Sequence, residues 1–238
     1  MRHTPSYIVT DPDEVKRLIR GNAWATIVSN TAKGLVASHY PVILEEDREG
    51  ISIVSHVGRP DDRALELGQH EVMVIIQGPH GYVSPSWYGD KPAVPTWNHV
   101  TAHLYGVPEI LSDEENWRVL SELVSHFEHK LPEPKLLEDN EEYGRRIVSG
   151  TVGFRMLVTR FEARSKLSQD KPADVVDNVM TELEHGANYA HPDLAAEMHR
   201  VHGGAANGAN TGSGNSGSNP AEATDATATT DTPRIPES

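Results

Sequence analysis

Gln77-Gly-Pro-His-Gly-Tyr-Val-Ser-Pro-Ser-Trp-Tyr-Gly-Asp-Lys-Pro-Ala-Val-Pro-Thr-Trp-Asn-His-Val-Thr-Ala-His-Leu-Tyr-Gly106 is the stretch on which the reading of this chain turns. Aromatics, hydroxyls, histidines and an asparagine crowd between turn-forming Gly and Pro residues. Trp87, Tyr88 and Trp97 stand close together in a chain with 6% aromatics. A buried indole or phenol needs a partner for its polar tip, so core strands seldom look like this. A flat, partly apolar ligand suits the composition, with Gln77, Ser84, Ser86, Thr96 and Asn98 offering hydrogen bonds. Two strands joined by an irregular, self-packed loop fit it equally well.

On the N-terminal side, Glu71–Gln77 is a nearly continuous apolar run, hence a strand covered on both faces. Before it, Asp61–Leu67 reads as a short helix and Ile51–His56 as a strand. Trp24–Ser29 and Leu35–Leu44 form a hairpin around the turn Asn30–Gly34. Asp11-Pro-Asp-Glu14 starts a helix by capping, and Gly21 stops it. Tyr82–Ser86 and Trp97–Ile110 supply two further strands.

On the C-terminal side, Ser112-Asp-Glu-Glu115 is a capping box. It opens a helix to about Lys130 with Trp117, Leu120, Leu123, Val124 and Phe127 on its apolar face. Residues 131–150 read as a Pro- and charge-rich connection. Val152–Phe161 is the last strand, Glu162–Lys171 a loop, and helices follow over Pro172–Glu184 and from Pro192 to near His202. The expected class is mainly β with flanking helices (α+β). About six or seven short antiparallel-type strands suit a small β-barrel better than a doubly wound sheet.

From Gly203 to Ser238 the residues are almost all Gly, Ala, Asn, Ser, Thr and Pro, and such a segment cannot bury enough surface to fold. The expected organisation is one domain over 1–202 and a disordered tail over 203–238. The whole chain has 238 residues and a net charge of −14. In the tail, Glu222, Asp225, Asp231 and Glu237 face Arg234, so most of the negative charge lies in the folded part. That disfavours nucleic acid and anionic membrane as partners. The absence of Cys excludes disulfides, thiolate metal sites and Cys nucleophiles. With no apolar run at the N-terminus and no spanning segment, a cytoplasmic protein is expected.

The 13 histidines invite a metal reading. His99 and His103 share a strand face but lie about 13 Å apart in an extended chain, too far for one ion. No metal site is expected. Neither a nucleophile elbow nor a phosphate-binding loop is present, so no catalytic residue is assigned. Arg59 follows Gly58 in a loop, where it is placed to grip a phosphate. Lys166 has Ser168 and Gln169 beside it as neutral donors. Both cations also read as ordinary exposed residues.

Taken in order, Ser38-His-Tyr-Pro41, His56 with Arg59, Gln77 to Tyr88, Val94-Pro-Thr-Trp-Asn98, His103-Leu-Tyr-Gly106, Val152-Gly-Phe154 and Lys166-Leu-Ser-Gln169 resemble the PaiB-type family, the FMN-binding negative transcriptional regulators. The resemblance runs over residues 1–202. It implies an FMN-binding split β-barrel, usually a homodimer with FMN at the subunit interface. It would put Ser38, His39, His56 and Arg59 along the flavin and its phosphate. Gln77 would face the ring, Trp97 and Asn98 would border the pocket, and Lys166, Ser168 and Gln169 would close it. Val57-Gly-Arg-Pro-Asp-Asp62 departs from the family's usual Ala-Asn-Pro-like sequence, and Trp97-Asn-His99 from Trp-Asn-Tyr. The expected function is a flavin-binding regulator or redox sensor without strong DNA affinity of its own. An FMN-dependent oxidoreductase, with His39 or His99 as proton donor, and a haem-binding or haem-degrading split barrel are the alternatives.

Overall fold

The computed structural model describes residues 4–208, with side chains as far as Gly203. The elements are β1 (Ile8–Val9), α1 (Pro12–Gly21), β2 (Trp24–Thr31), β3 (Gly34–Leu44), β4 (Ser52–Gly58), α2 (Asp61–Ala64), β5 (Val72–Val83), β6 (Thr96–Gly106) and β7 (Glu109–Ile110). They continue with α3 (Asp113–Glu128), α4 (Glu141–Val148), β8 (Thr151–Leu157), β9 (Arg160–Lys166), α5 (Ala173–His185) and α6 (Pro192–Gly208). The nine strands form one curled antiparallel sheet in the order β1-β9-β6-β5-β2-β3-β4-β8-β7, a split β-barrel with flanking helices. Among the described residues no helix is long and apolar enough to cross a membrane.

Strand β3 joins the two halves of the barrel. Gly34–Pro41 pair with Thr31–Trp24 of β2, and Val42–Leu44 then pair with Ser55–Ile53 of β4. The change of partner falls at Pro41, which has no N–H to give. Its carbonyl accepts the Ser55 hydroxyl at 2.6 Å, and Val42 N–H donates to Ala23 O at 2.8 Å.

The barrel interior is filled by side chains with no exposure, Ile27, Ile53, Val74, Ile76, Leu104, Phe154 and Met156 among them. Helix α1 contributes Val15, Leu18 and Ile19; α5 and α6 contribute Val179, Leu183, Leu194 and Met198. On the other side of β3 and β4, α3 buries Val119 and Leu123 against Ile43, Val54 and Leu111. Its capping box is formed as the sequence predicts, with Ser112 and Glu115 exchanging both bonds.

Several expectations about elements change. Gly78-Pro-His80 does not end a strand. Strand β5 runs through it with a one-residue bulge, pairing Gln77 with Thr101 and His80 with His99. A Cβ on Gly78 would stand 2.6 Å from Leu18 Cδ1, so any larger residue there would make the Leu18 side chain of α1 shift. The expected last strand is two strands, β8 and β9, joined at Val158-Thr159, and β9 takes Glu162–Lys166 out of the expected loop. The 131–150 connection contains α4. Trp117 lies over α4 rather than in the core, with Arg145 4.7 Å from its ring, and Asn116 takes the buried position by donating to Thr151 Oγ1 at 3.0 Å. Helix α6 continues past His202 to Gly208; the rest of the expected disordered tail lies outside the described residues.

Glu45, at the end of β3, is buried and ties the half-barrel together. Arg155 of β8 donates to both its carboxylate oxygens, at 2.7 and 2.8 Å, and Ser52 of β4 donates at 2.8 Å. Burial raises the Glu45 pKa, but the bonds from Arg155 and Ser52 more than offset this and hold it below the ordinary value. Its stabilising contribution is therefore present above the ordinary carboxylate pKa and is lost as pH falls through the lower, folded value. Glu45→Ala leaves Arg155 without its main partner and is expected to cost about 3 kcal/mol in denaturant unfolding. Glu45→Gln should weaken the dependence of stability on pH below about 5, measured by the same titration at stepped pH. A loss under about 0.5 kcal/mol in Glu45→Ala would show that the pair is a solvated one.

Candidate functional site

Alternation along the strands gives the sheet a second face that the helices leave open. In register across β3, β2, β5, β6 and β9 lie His39, Thr26, Ile75, His103 and Glu162, and beside them Ala37, Val28, Met73, Tyr105 and Arg160. All are half-exposed or exposed, in contrast to the neighbouring row through Ile27, Val74 and Leu104, which is fully buried. At the edge of this face Trp24 is 65% exposed and stacks on His39, with ring centroids 6.5 Å apart; Leu35 is 77% exposed. The bulge in β5 turns His80 and Tyr82 onto the same face as Gln77. Gln77 Nε2 lies 3.3 Å from His80 Nδ1, and Tyr82 meets Trp97 edge-on at 6.2 Å and Tyr189 at 5.0 Å.

The sequence-predicted residues fall into two groups. The first is the corner between β3 and β4. Ser38 and Tyr40 both donate to Asp61 Oδ2, at 2.9 and 2.8 Å, and Gly58 N–H donates to the Tyr40 hydroxyl at 3.0 Å. The His56 ring lies 5.9 Å from Tyr40, edge-on; burial lowers its pKa, and its Nδ1 has no partner among the described residues. The Arg59 guanidinium is exposed and reaches Asp62 at 3.4 Å, and its backbone N–H donates to Gly150 O at 3.0 Å. His39 belongs to the same strand but points to the open face.

The second group lies where β6 begins and β9 ends. From β3 to β9 is four strand spacings, about 19 Å along the sheet. Lys166 donates to the Thr96 hydroxyl and, at 2.6 Å, to Trp97 O. Asn98 is fully buried and donates to Ser168 Oγ at 2.9 Å. Ser168 has a φ of 65°, in the left-handed region, and turns the chain beneath Asn98. Gln169 is engaged with its own loop, accepting from Leu167 N–H at 2.7 Å and donating to Ser165 O at 2.5 Å. Thr96, Asn98, Lys166 and Ser168 line a cavity of about 540 Å³. Its wall also holds Tyr88, part of the aromatic stretch singled out in the sequence, and Lys91 and Lys171, which the sequence reading missed because they follow no spacing that would mark them. Gln77 lies between the groups, opposite Thr101.

Between them the open face and the cavity offer what a flavin nucleotide needs: half-exposed aromatic surface for a ring, and cations with hydroxyls for a phosphate. Comparison with known proteins agrees. Residues 1–160 match the family described as "Putative FMN-binding domain". The chain is 30% identical over 197 residues to the "Protease synthase and sporulation protein PAI 2" of Bacillus subtilis, covering 78% of this chain and 91% of that one. Among solved structures, the FAD and haem binding protein of Mycobacterium smegmatis superposes with a TM-score of 0.51 at 17% identity, covering 71% of this chain and 78% of that one. The flavocytochrome Anf3 of Azotobacter vinelandii gives 0.52 at 12% identity, with 73% and 77% covered. These two likenesses concern the fold. With the motif order, the curled sheet and the matched domain in agreement, the chain belongs to the PaiB-type family of FMN-binding split-barrel proteins, whose cofactor is FMN or a related flavin.

Proposed function

We propose that two copies of this chain pair through the open sheet face, hold a flavin at the seam, and act as a flavin-dependent regulator or redox sensor. The open face carries the reading. A row of half-exposed Val28, Met73, Ile75 and Tyr105, edged by the exposed Trp24 and Leu35, is the kind of surface that a second protein covers. A flavin ring placed there meets Gln77, His99 and Trp97. The bound flavin supplies reversible electron storage, and the protein supplies position and polarity.

His99, one of the two candidate proton donors in the oxidoreductase reading, is half-buried beside Lys166. Burial, with the nearby Lys166 and Arg164 charges and His80, pushes its pKa below the ordinary 6.5. That shift disfavours the protonated, donating form of the imidazole. The Bacillus subtilis relative is named for protease synthesis and sporulation, and that name supports a regulatory role. Direct contact with DNA finds no support in α5 and α6. Arg200 is the only Lys or Arg in these two helices, and it is already paired with Glu14 at 2.7 Å.

Three measurements test this. The purified protein should show flavin absorbance without a Soret band, and stopped-flow mixing with NADH or NADPH should reduce the bound flavin no faster than free FMN; rapid, saturable reduction would establish the oxidoreductase instead. Trp24→Glu, which puts a charge into the proposed seam, should weaken dimerisation on the order of a hundredfold by sedimentation and release flavin with it. A variant that stays dimeric and yellow would remove the open face from the interface. NMR titration should find the His99 imidazole with a pKa below 6.5, and a value above 7 would restore it as a donor.

A further inference from the structure

Two places in the fold compete for the negative end of the flavin, and they differ in charge. At the β3–β4 corner the groups that would greet a phosphate already serve carboxylates of the chain itself. Asp61 takes the hydroxyl protons of Ser38 and Tyr40, Asp62 takes Arg59, and the backbone N–H groups of Gly58 and Arg59 are bonded to Tyr40 and Gly150. Asp61 stands where an incoming anion would have to stand. A phosphate dianion there would meet two like charges and displace internal bonds.

The cavity at the other end is built the opposite way. Three lysines line it, Lys91, Lys166 and Lys171, against one carboxylate, Asp170, so its cations outnumber its acids. Lys91 bonds Asp174 at 2.5 Å and Lys171 bonds Asp170 at 2.9 Å. Lys166 has no carboxylate within salt-bridge distance among the described residues; its ammonium is held by the Thr96 hydroxyl and the Trp97 carbonyl, both neutral. An ammonium has three protons, so one is left for a ligand. Thr96, accepting from Lys166, keeps its own hydroxyl proton to donate. Burial pushes the Lys166 pKa down, a cost that a bound anion would relieve. Lys166 also connects this cavity with the open face, since its Cα pairs with that of His99.

We propose that the flavin's phosphate binds in the Lys166 cavity, on Lys166 and the Thr96 hydroxyl, and not at the Arg59 corner, which Asp61 and Asp62 have closed to anions. This rests on the flavin reading and goes beyond it by fixing which cation selects the phosphorylated cofactor. The corner would then be a structural lock on β3 and β4.

The test titrates FMN and riboflavin, which lacks the phosphate, into wild type, Lys166→Met and Arg59→Ala, followed by flavin fluorescence. Lys166→Met is expected to weaken FMN on the order of tenfold to a hundredfold and to leave riboflavin within about twofold. Arg59→Ala should leave both within about twofold. Lys166→Arg, which keeps the charge, should recover most of the FMN affinity and rules out a folding defect as the cause. Inorganic phosphate should compete with FMN in wild type and not in Lys166→Met. The proposal is overturned if Arg59→Ala carries the FMN-selective loss, or if Lys166→Met weakens FMN and riboflavin equally. If wild type binds neither flavin, the flavin reading fails together with it, whereas wild-type riboflavin binding as tight as that of FMN sinks the phosphate site alone.

Discussion

Strand β3 cannot satisfy its backbone with one neighbour. It is long enough to pair with β2 along its first part and with β4 along its last, and the missing N–H of Pro41 marks where one partner gives way to the other. That constraint curls the sheet. It sends β4 and β8 away from the line of β2, β5, β6 and β9, and it creates an interior for Ile27, Ile53, Val74 and Phe154. The Glu45–Arg155 bond closes the same bend from its far end, joining β3 to β8 with an ion pair too buried to be screened by salt.

Curling has a functional side. A flat sheet covered by helices would hide both faces, whereas this half-barrel fills its concave side and leaves the other open, the face that the proposed pairing would use. The flanking helices stay off that face: α1, α5 and α6 complete the interior, and α3 covers the β3–β4 ledge. The residues that gather on the open face come from strands far apart in sequence, and the ladder register aligns them, as with His39, Ile75 and His103.

Much of this was legible in the sequence. Caps and apolar periodicity located α1 and α3, and turn chemistry located the β2–β3 hairpin, because these signals act within a few residues. Gly78-Pro-His80 is hard to read because Gly and Pro mark a bulge as readily as a turn, and which one forms depends on pairing with β6, some twenty residues further on. The join between β8 and β9 was hidden because a two-residue turn can lack Gly and Asn. At the site, composition singled out Gln77–Gly106, and the family motif supplied the candidates. What the motif could not show is that Asp61 folds back onto Ser38 and Tyr40. The signal was present in Asp61-Asp62, two acids standing where a phosphate site would want none.

The bulge in β5 also sets the parity of the sheet. Before it, odd-numbered residues such as Met73, Ile75 and Gln77 face outward; after it, even-numbered His80 and Tyr82 do, while Gly81 and Val83 turn to the core. One inserted residue thus acts as a phase shift between two halves of a single strand. Were the strand to straighten with the extra residue kept, the core would be preserved upstream and every side chain downstream inverted, carrying the aromatic end of the open face into the interior; deleting that residue would instead leave a regular ladder with His80 still opposite His99. A residue gained or lost elsewhere in β5 would therefore exchange core and surface along the rest of the strand, whereas the bulge itself is the one point where the count can change by one without doing so.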